Sequence, residues 1–189
     1  MKYSNTLQGI TIETDILGDD QFTPILVERL SKGGWEKEET EYIHLIDENA
    51  KVLELGGCLG LVSCLVNKRL KNPEKHIVLE ANPELIKYLQ HNRDINECSF
   101  SIENKVLHHT QDTLKFNVDK RSILGSSLTS LPSGRVKTQY DIKGYTWEDF
   151  EAQLGDKIDT FICDIEGGEY SLIQKVLTYK YLNNLNLFL

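Results

Sequence analysis

Apolar residues occur in two alternating patterns along the chain. Four apolar runs are too short for helices and predict buried strands. They cover residues 51–55, 76–80, 100–107 and 157–163. Between the first three runs, segments 59–71 and 83–96 space their apolar residues three and four positions apart, as helices with one buried face do. Strands that alternate with helices predict a parallel sheet covered on both faces, a three-layer α/β fold.

Residues 113–145 interrupt this alternation. Apolar and polar side chains alternate over 113–118 and again over 136–142, which predicts an antiparallel pair of strands. Immediately afterwards, Thr146 and Asp149 have the spacing of a capping box. The sequence therefore predicts an antiparallel excursion followed by a short helix.

The rest of the sequence divides into a lead-in and a domain. Residues 1–50 contain a weakly alternating segment at 8–13 and an amphipathic segment at 35–46. We expect this lead-in to pack on the domain formed by 51–189. Residues 185–189, Leu-Asn-Leu-Phe-Leu, predict one more core strand.

Charge and composition exclude several classes of protein. The 189-residue chain has a formal net charge of −8 at pH 7, which argues against a nucleic-acid partner because phosphate binding needs clustered Lys and Arg. No apolar run approaches the ~20 residues that span a bilayer, so no membrane partner is expected. The first residues lack a signal-peptide core, and the four cysteines form no C-x-x-C pair. We therefore expect a cytoplasmic protein with free thiols and no metal site.

The most informative segment is 51–60, Lys-Val-Leu-Glu-Leu-Gly-Gly-Cys-Leu-Gly. An apolar strand runs into a glycine turn and then a helix, and glycines let a ligand lie close to the backbone. The spacing differs from the G-x-G-x-x-G of dinucleotide enzymes. Glu54, just before the turn, would repel a phosphate and attract an amine. This favours S-adenosylmethionine (SAM), which carries an amine and a sulfonium but no phosphate.

A second carboxylate supports this interpretation. Glu80 ends the next predicted strand, 24 positions after Gly56. An acidic residue ~20 positions after such a turn commonly binds ribose hydroxyls. A purely structural turn is the alternative, but the turn together with Glu54 and Glu80 predicts a nucleoside cofactor.

Three motifs and an upstream tripeptide resemble the FkbM-type SAM-dependent methyltransferases, over roughly residues 20–180. They are Glu54-Leu55-Gly56-Gly57-Cys58-Leu59-Gly60, Glu80-Ala81-Asn82-Pro83, Asp164-Ile165-Glu166-Gly167-x-Glu169 and Gly34-Trp35-Glu36. The resemblance implies a Rossmann-like, class I methyltransferase fold and methyl transfer to a hydroxyl of a small molecule or glycan. It also implies that Glu54, Gly56 and Gly60 hold the methionine part of SAM. The full expected cofactor-binding set is Glu54, Gly56, Gly57, Gly60, Glu80, Ala81 and Asn82.

Methyl transfer to an alcohol requires a base that accepts the hydroxyl proton. Asp164 and Glu166 follow the predicted strand at 157–163, and His108 follows the third strand with His109 beside it. Asp164, Glu166 and His108 are therefore the candidate catalytic residues. Histidine titrates near neutral pH, which suits the role.

Alternatives remain open at this point. A non-catalytic, nucleoside-binding module of methyltransferase type is one, and an NAD-dependent oxidoreductase is a less favoured one. The family fold has further strands after the fifth, so we expect the sequence to lack C-terminal strands. An unpaired apolar edge strand at 185–189 would then allow self-association.

Overall fold

The computed structural model describes residues 4–16, 28, 32, 36–120, 124, 126–128, 131–165, 172, 174 and 185–188. The strands in this part of the chain are β1 (Ser4–Leu7), β2 (Ile10–Glu13), β3 (Val52–Leu55), β4 (His76–Leu79), β5 (Ser101–Glu103), β6 (Val106–Leu107), β7 (Thr113–Asp119), β8 (Val136–Tyr145), β9 (Thr160–Cys163) and β10 (Asn186–Phe188). The α-helices are α1 (Lys37–Tyr42), α2 (Leu61–Arg69), α3 (Ile86–Ile95) and α4 (Trp147–Leu154). Short 3-10 helices lie at Ile43–Leu45 and Pro73–Lys75.

Five parallel strands form the central sheet in the order β5-β4-β3-β9-β10. Within this sheet, β3 comes first in the chain. The strands β4 and β5 follow on one side of β3, and β9 and β10 lie on its other side. On β3, Glu54 lies opposite Val78 of β4 and Ile162 of β9. The reversal of strand order between β3 and β9 is where ligands bind in open α/β sheets, at the carboxyl ends of the strands. The predicted α/β fold with a parallel sheet is confirmed.

Helices cover both faces of this sheet. On one face, Leu61 of α2 and Leu89 of α3 pack with Val78. On the other face, Phe150 of α4 packs in a cluster that includes Phe161 of β9. Successive strand residues point to opposite faces, so β4 contributes Val78 to the first cluster and Ile77 and Leu79 to the second. The three central strands β3, β4 and β9 are buried throughout.

The N-terminal hairpin β1–β2 lies outside the central sheet and packs on α2 and α3, where Ile12 is buried. Asn92 of α3 and Asn96, which directly follows this helix, bind the main chain of β2. Asn96 Oδ1 accepts the N–H of Thr11 at 2.8 Å, and Asn92 Oδ1 accepts the N–H of Glu13 at 2.8 Å. Of the predicted strand at 8–13, the structure confirms Ile10–Glu13.

The third predicted strand, at 100–107, is corrected. The structure divides it into β5, which joins the central sheet, and β6, which pairs with β8. A turn separates them, in which Lys105 N–H donates to Glu103 O at 2.9 Å. The antiparallel excursion is confirmed, because β7 pairs antiparallel with β8 from Thr113 to Asp119.

Two predicted helices are shorter than the sequence pattern indicates. In the segment 35–46, α1 ends at Tyr42, a 3-10 turn follows, and Tyr42 is exposed. In the segment 83–96, α3 begins at Ile86. Asn82 Oδ1 accepts the N–H of Glu84 at 3.0 Å and so stabilises a turn before the helix rather than its first residue.

The capping box at the start of α4 is confirmed. The Thr146 hydroxyl accepts the Asp149 N–H, and the Asp149 carboxylate accepts the Thr146 N–H at 2.8 Å. In the part of the chain described here, no helix has the length and apolar character needed to cross a bilayer. The strand predicted at 185–189 is observed as β10 (Asn186–Phe188). It lies beside β9 at one edge of the central sheet as described here, and β5 lies at the other edge. Self-association through β10 stays a prediction.

Candidate active site

The site begins at the turn between β3 and α2. Gly56 and Gly57 donate their N–H groups to Leu79 O at the end of β4, at 2.9 and 3.1 Å. Gly56 and Gly60 have φ values of 88° and 89°, which suit glycine. Cys58 also has a positive φ, 46°. The turn is therefore held close to β4 in a conformation that requires glycine at both of its ends.

Neighbouring protein atoms occupy the space that side chains would take at these glycines. A Cβ on Gly56 would overlap the main-chain oxygen of Asp164, and a Cβ on Gly57 would lie 2.5 Å from Val78 Cγ1. A Cβ on Gly60 would lie 2.9 Å from Leu89 Cδ1. These glycines are therefore needed for the packing of the turn against the end of β9, β4 and α3, whether or not a ligand lies beside the turn.

Glu54 lies within β3 and points toward α2. Its Oε1 accepts the hydroxyl hydrogen of Ser63 at 2.5 Å, and its Oε2 lies 2.9 Å from His76 Nε2. All three side chains are buried. A buried carboxylate needs such partners, because without them its desolvation would be costly.

Glu54 also lines a pocket at the carboxyl ends of β3 and β9. The lining residues are Glu36, Glu39, Glu54, Leu55, Gly56, Gly57, Val62, Ile162 and Asp164. Four of them are carboxylates, so the pocket favours a positively charged ligand. Its cavity measures about 10 Å³, well below the ~300–1,000 Å³ of sites that enclose a drug-sized ligand.

Glu80 follows β4 directly and holds the turn. Its Oε2 accepts the Cys58 N–H at 2.8 Å, and its Oε1 accepts the Asn82 N–H at 2.7 Å. Burial raises the pKa of Glu80 from its ordinary value of 4.5 to about 7, while the two N–H groups oppose that rise. Burial, followed by the charges of Glu36 and Glu80, also raises the pKa of the Cys58 thiol well above its ordinary value.

Ala81 and Asn82 lie beneath the antiparallel strands. Ala81 packs against a cluster that includes Phe116 and Ile142. Tyr140 of β8 donates its hydroxyl hydrogen to Glu84 Oε1 at 3.2 Å. The strands β7 and β8 therefore cover the chain that leaves β4, beside Glu80.

The predicted catalytic residues occupy different places. Asp164 follows β9 and lines the pocket. His108 belongs to a separate loop, where its Nδ1 lies 3.0 Å from Thr110 Oγ1, which donates to Asp112 Oδ2 at 2.6 Å. His108 is not among the residues that line the pocket. Glu166 lies outside the described residues.

Sequence reasoning missed four residues near the pocket as site residues. Glu36 and Glu39 bring two of its carboxylates from the segment before the first core strand. Ser63 and His76 hold Glu54. The signal for His76 was its position, because a histidine at the start of an otherwise apolar buried strand needs a polar partner.

Comparisons with protein-family models, with curated proteins and with solved structures found no match to this chain. The function proposed below therefore rests on the geometry of the pocket and on the sequence motifs of the chain.

Proposed function

We propose that this chain is a SAM-dependent methyltransferase with a Rossmann-like, class I methyltransferase fold of the FkbM type. Its acceptor is a hydroxyl of a small molecule or glycan. The observation that carries the proposal is the set of carboxylates from Glu36, Glu39, Glu54 and Asp164 around one pocket, located where the strand order reverses.

The charge of the pocket supports a cationic ligand without phosphate. Four carboxylates in one partly enclosed pocket repel a pyrophosphate and attract an ammonium or a sulfonium. This is the charge pattern of the methionine part of SAM, and it disfavours NAD. For a ligand of that size to enter, the side chains of Glu36 and Glu39 have to move away from Glu54.

Glu80 supports a nucleoside beside the same turn. Its carboxylate oxygens already accept two main-chain N–H groups, and each oxygen has a second lone pair that can accept a ribose hydroxyl. Because the pKa of Glu80 is about 7, its acceptor capacity grows as pH rises through neutrality.

Bound SAM would supply an electrophilic methyl group. The protein's own part is to hold the acceptor oxygen in line with that group and to receive its proton. Asp164 is the best-placed base, because it is exposed at the end of β9 and also lines the pocket. Glu166 is the second candidate, and His108 is the third.

Calorimetry with SAM, S-adenosylhomocysteine and NAD tests the proposal. We expect the first two to bind and NAD not to bind. Glu80→Ala should weaken SAM binding by about tenfold or more, since it removes charge-assisted hydrogen bonds. Binding of NAD in preference to SAM would overturn the proposal, and unchanged SAM affinity in the variant would remove Glu80 from the site.

Asp164→Asn separates binding from chemistry. If Asp164 receives the proton, transfer to a panel of simple glycosides should fall by about a hundredfold, a much larger loss than that of SAM affinity, for which the pocket loses one of four carboxylate charges. Asp156→Asn, in the loop before β9, is the matched control and should leave both quantities unchanged. SAM binding without transfer to any hydroxyl would instead favour the non-catalytic nucleoside-binding module.

A further inference from the structure

His76 contacts Glu54 but has no role in the proposed reaction. His76 is the first residue of β4, and its side chain shares a sheet face with Glu54. The imidazole is fully buried, with Nε2 2.9 Å from Glu54 Oε2. Phe100 lies against the ring, at 5.4 Å between ring centroids.

The two ring nitrogens of His76 differ in their partners. Nε2 meets Glu54, whereas Nδ1 is buried with no hydrogen-bond partner among the described residues. A buried polar atom without a partner is unfavourable. An apolar side chain would fill this space without that cost, so packing alone does not account for a histidine here. Within the described ranges of the chain, the contact of Nε2 with Glu54 is the one polar contact of this ring.

The position of Glu54 between two environments makes this contact important. On one side, Ser63 and His76 hold its two oxygens. On the other side, Glu54 lines the pocket together with Glu36, Glu39 and Asp164. Repulsion by these like charges favours rotation of the Glu54 carboxylate away from the pocket. The contacts with Ser63 and His76 oppose that rotation.

We propose that His76 is a positioning residue, whose Nε2 fixes the Glu54 carboxylate so that the pocket prefers a sulfonium over an uncharged thioether. This inference rests on the proposed function, since SAM carries the sulfonium and S-adenosylhomocysteine the thioether. The two ligands differ in one methyl group and one positive charge. Their affinity ratio therefore reports the charge preference of the pocket and is insensitive to a general loosening that weakens both.

Two substitutions of similar size separate the nitrogens. In His76→Gln the side-chain amide nitrogen can reach the place of Nε2, whereas in His76→Asn it reaches only the place of Nδ1. We expect His76→Gln to keep the preference for SAM. His76→Asn should lower SAM affinity by about tenfold, with little change for S-adenosylhomocysteine, because a charge-assisted contact is lost. His91→Asn, at a surface histidine paired with Glu13, is the control and should change neither affinity.

The outcomes are distinct. Failure of the wild-type chain to bind either ligand would overturn both this inference and the proposed function. Wild-type binding with an unchanged affinity ratio in His76→Asn would overturn the inference alone, and so would an equal loss of both ligands in the Gln and Asn variants. If His76→Asn does not fold, His76→Leu replaces it: a retained SAM preference there overturns the inference, and a lost one supports it.

Discussion

The carboxyl ends of β3 and β4 each contribute a buried carboxylate to the candidate site, but the two are held in different ways. Glu54, 2% exposed, is held by the side chains of Ser63 and His76. Glu80, 6% exposed, is held by the main-chain N–H groups of Cys58 and Asn82. Side-chain partners change with the sequence, whereas main-chain partners persist while the turn keeps its shape. Substitutions of neighbouring side chains can therefore change the environment of Glu54, whereas the environment of Glu80 is set by the backbone of the turn.

We expect the largest effect on stability from a substitution in the glycine turn between β3 and α2. In Gly56→Ala, the new Cβ would overlap the Asp164 main-chain oxygen. We expect a loss of more than ~5 kcal/mol in the free energy of unfolding, or no folded protein. Gly155→Ala is the control, because Gly155 also has a positive φ, 65°, but no atom of the residues that the structure describes lies within 4 Å of its Cβ position. It should cost only ~1 kcal/mol, and urea unfolding of both variants measures the difference.

Paired substitutions test the contrast between the two carboxylates. Glu54→Leu and Glu80→Ala should each cost roughly 3–5 kcal/mol, since buried donors lose their acceptor. Adding Ser63→Ala to Glu54→Leu should restore ~1 kcal/mol, because the unpaired hydroxyl is then removed. Adding Cys58→Ala to Glu80→Ala should restore nothing, because the N–H group stays. Equal recovery in both double variants would contradict the contrast.

The pH dependence of stability should be assigned to Glu80. A pKa raised from 4.5 to about 7 means that the folded state binds this proton more tightly than the unfolded state. The resulting stabilisation is complete below pH 4.5 and is lost as pH rises through about 7. Its size is about 3 kcal/mol from the shift. Glu80→Gln stays uncharged, so unfolding curves across this interval should show a smaller pH dependence than the wild-type protein; an identical dependence would assign it to other groups.

The smallest effect is expected far from both carboxylates. Thr146→Ala removes the capping box of α4, on the opposite face of the sheet. It should cost ~1 kcal/mol and leave SAM affinity unchanged. Thermal unfolding and calorimetry on the same sample measure both quantities. A loss of SAM affinity in Thr146→Ala would mean that binding responds to any destabilisation. Affinity losses in the other variants could then not be assigned to the candidate site.

Local patterns predicted much of the fold. Three of the four predicted buried strands, the antiparallel pair and the Thr146 capping box are observed, and each depends on neighbours in sequence. The break between Glu103 and Val106 combines the local turn at Lys105 with a long-range contact, in which Asn104 Nδ2 donates to Glu80 O at 2.7 Å. Sequence periodicity does not contain that contact, and so it predicted one strand where there are two.

The candidate site was predicted less completely than the fold. Glu54 and Glu80 were found because each lies near the end of a strand, close to the glycine turn. Glu39 reaches the pocket from α1, and Glu36 from the position directly before that helix; their approach depends on tertiary packing. His108 was chosen for its chemistry, but its Nδ1 contacts Thr110 Oγ1, which in turn donates to Asp112. Residue type alone does not tell which side chains the fold brings together.

The contact between β2 and α3 also has a consequence for the order of folding. Asn96 and Asn92 hold main-chain groups that are 85 and 79 positions away in sequence. Closing such long loops costs entropy that local contacts do not require. The hairpin β1–β2 is synthesised before α3, yet it gains these partners only once α3 exists. We therefore expect the hairpin to dock late, so that a substitution at buried Ile12 accelerates unfolding far more than it slows refolding.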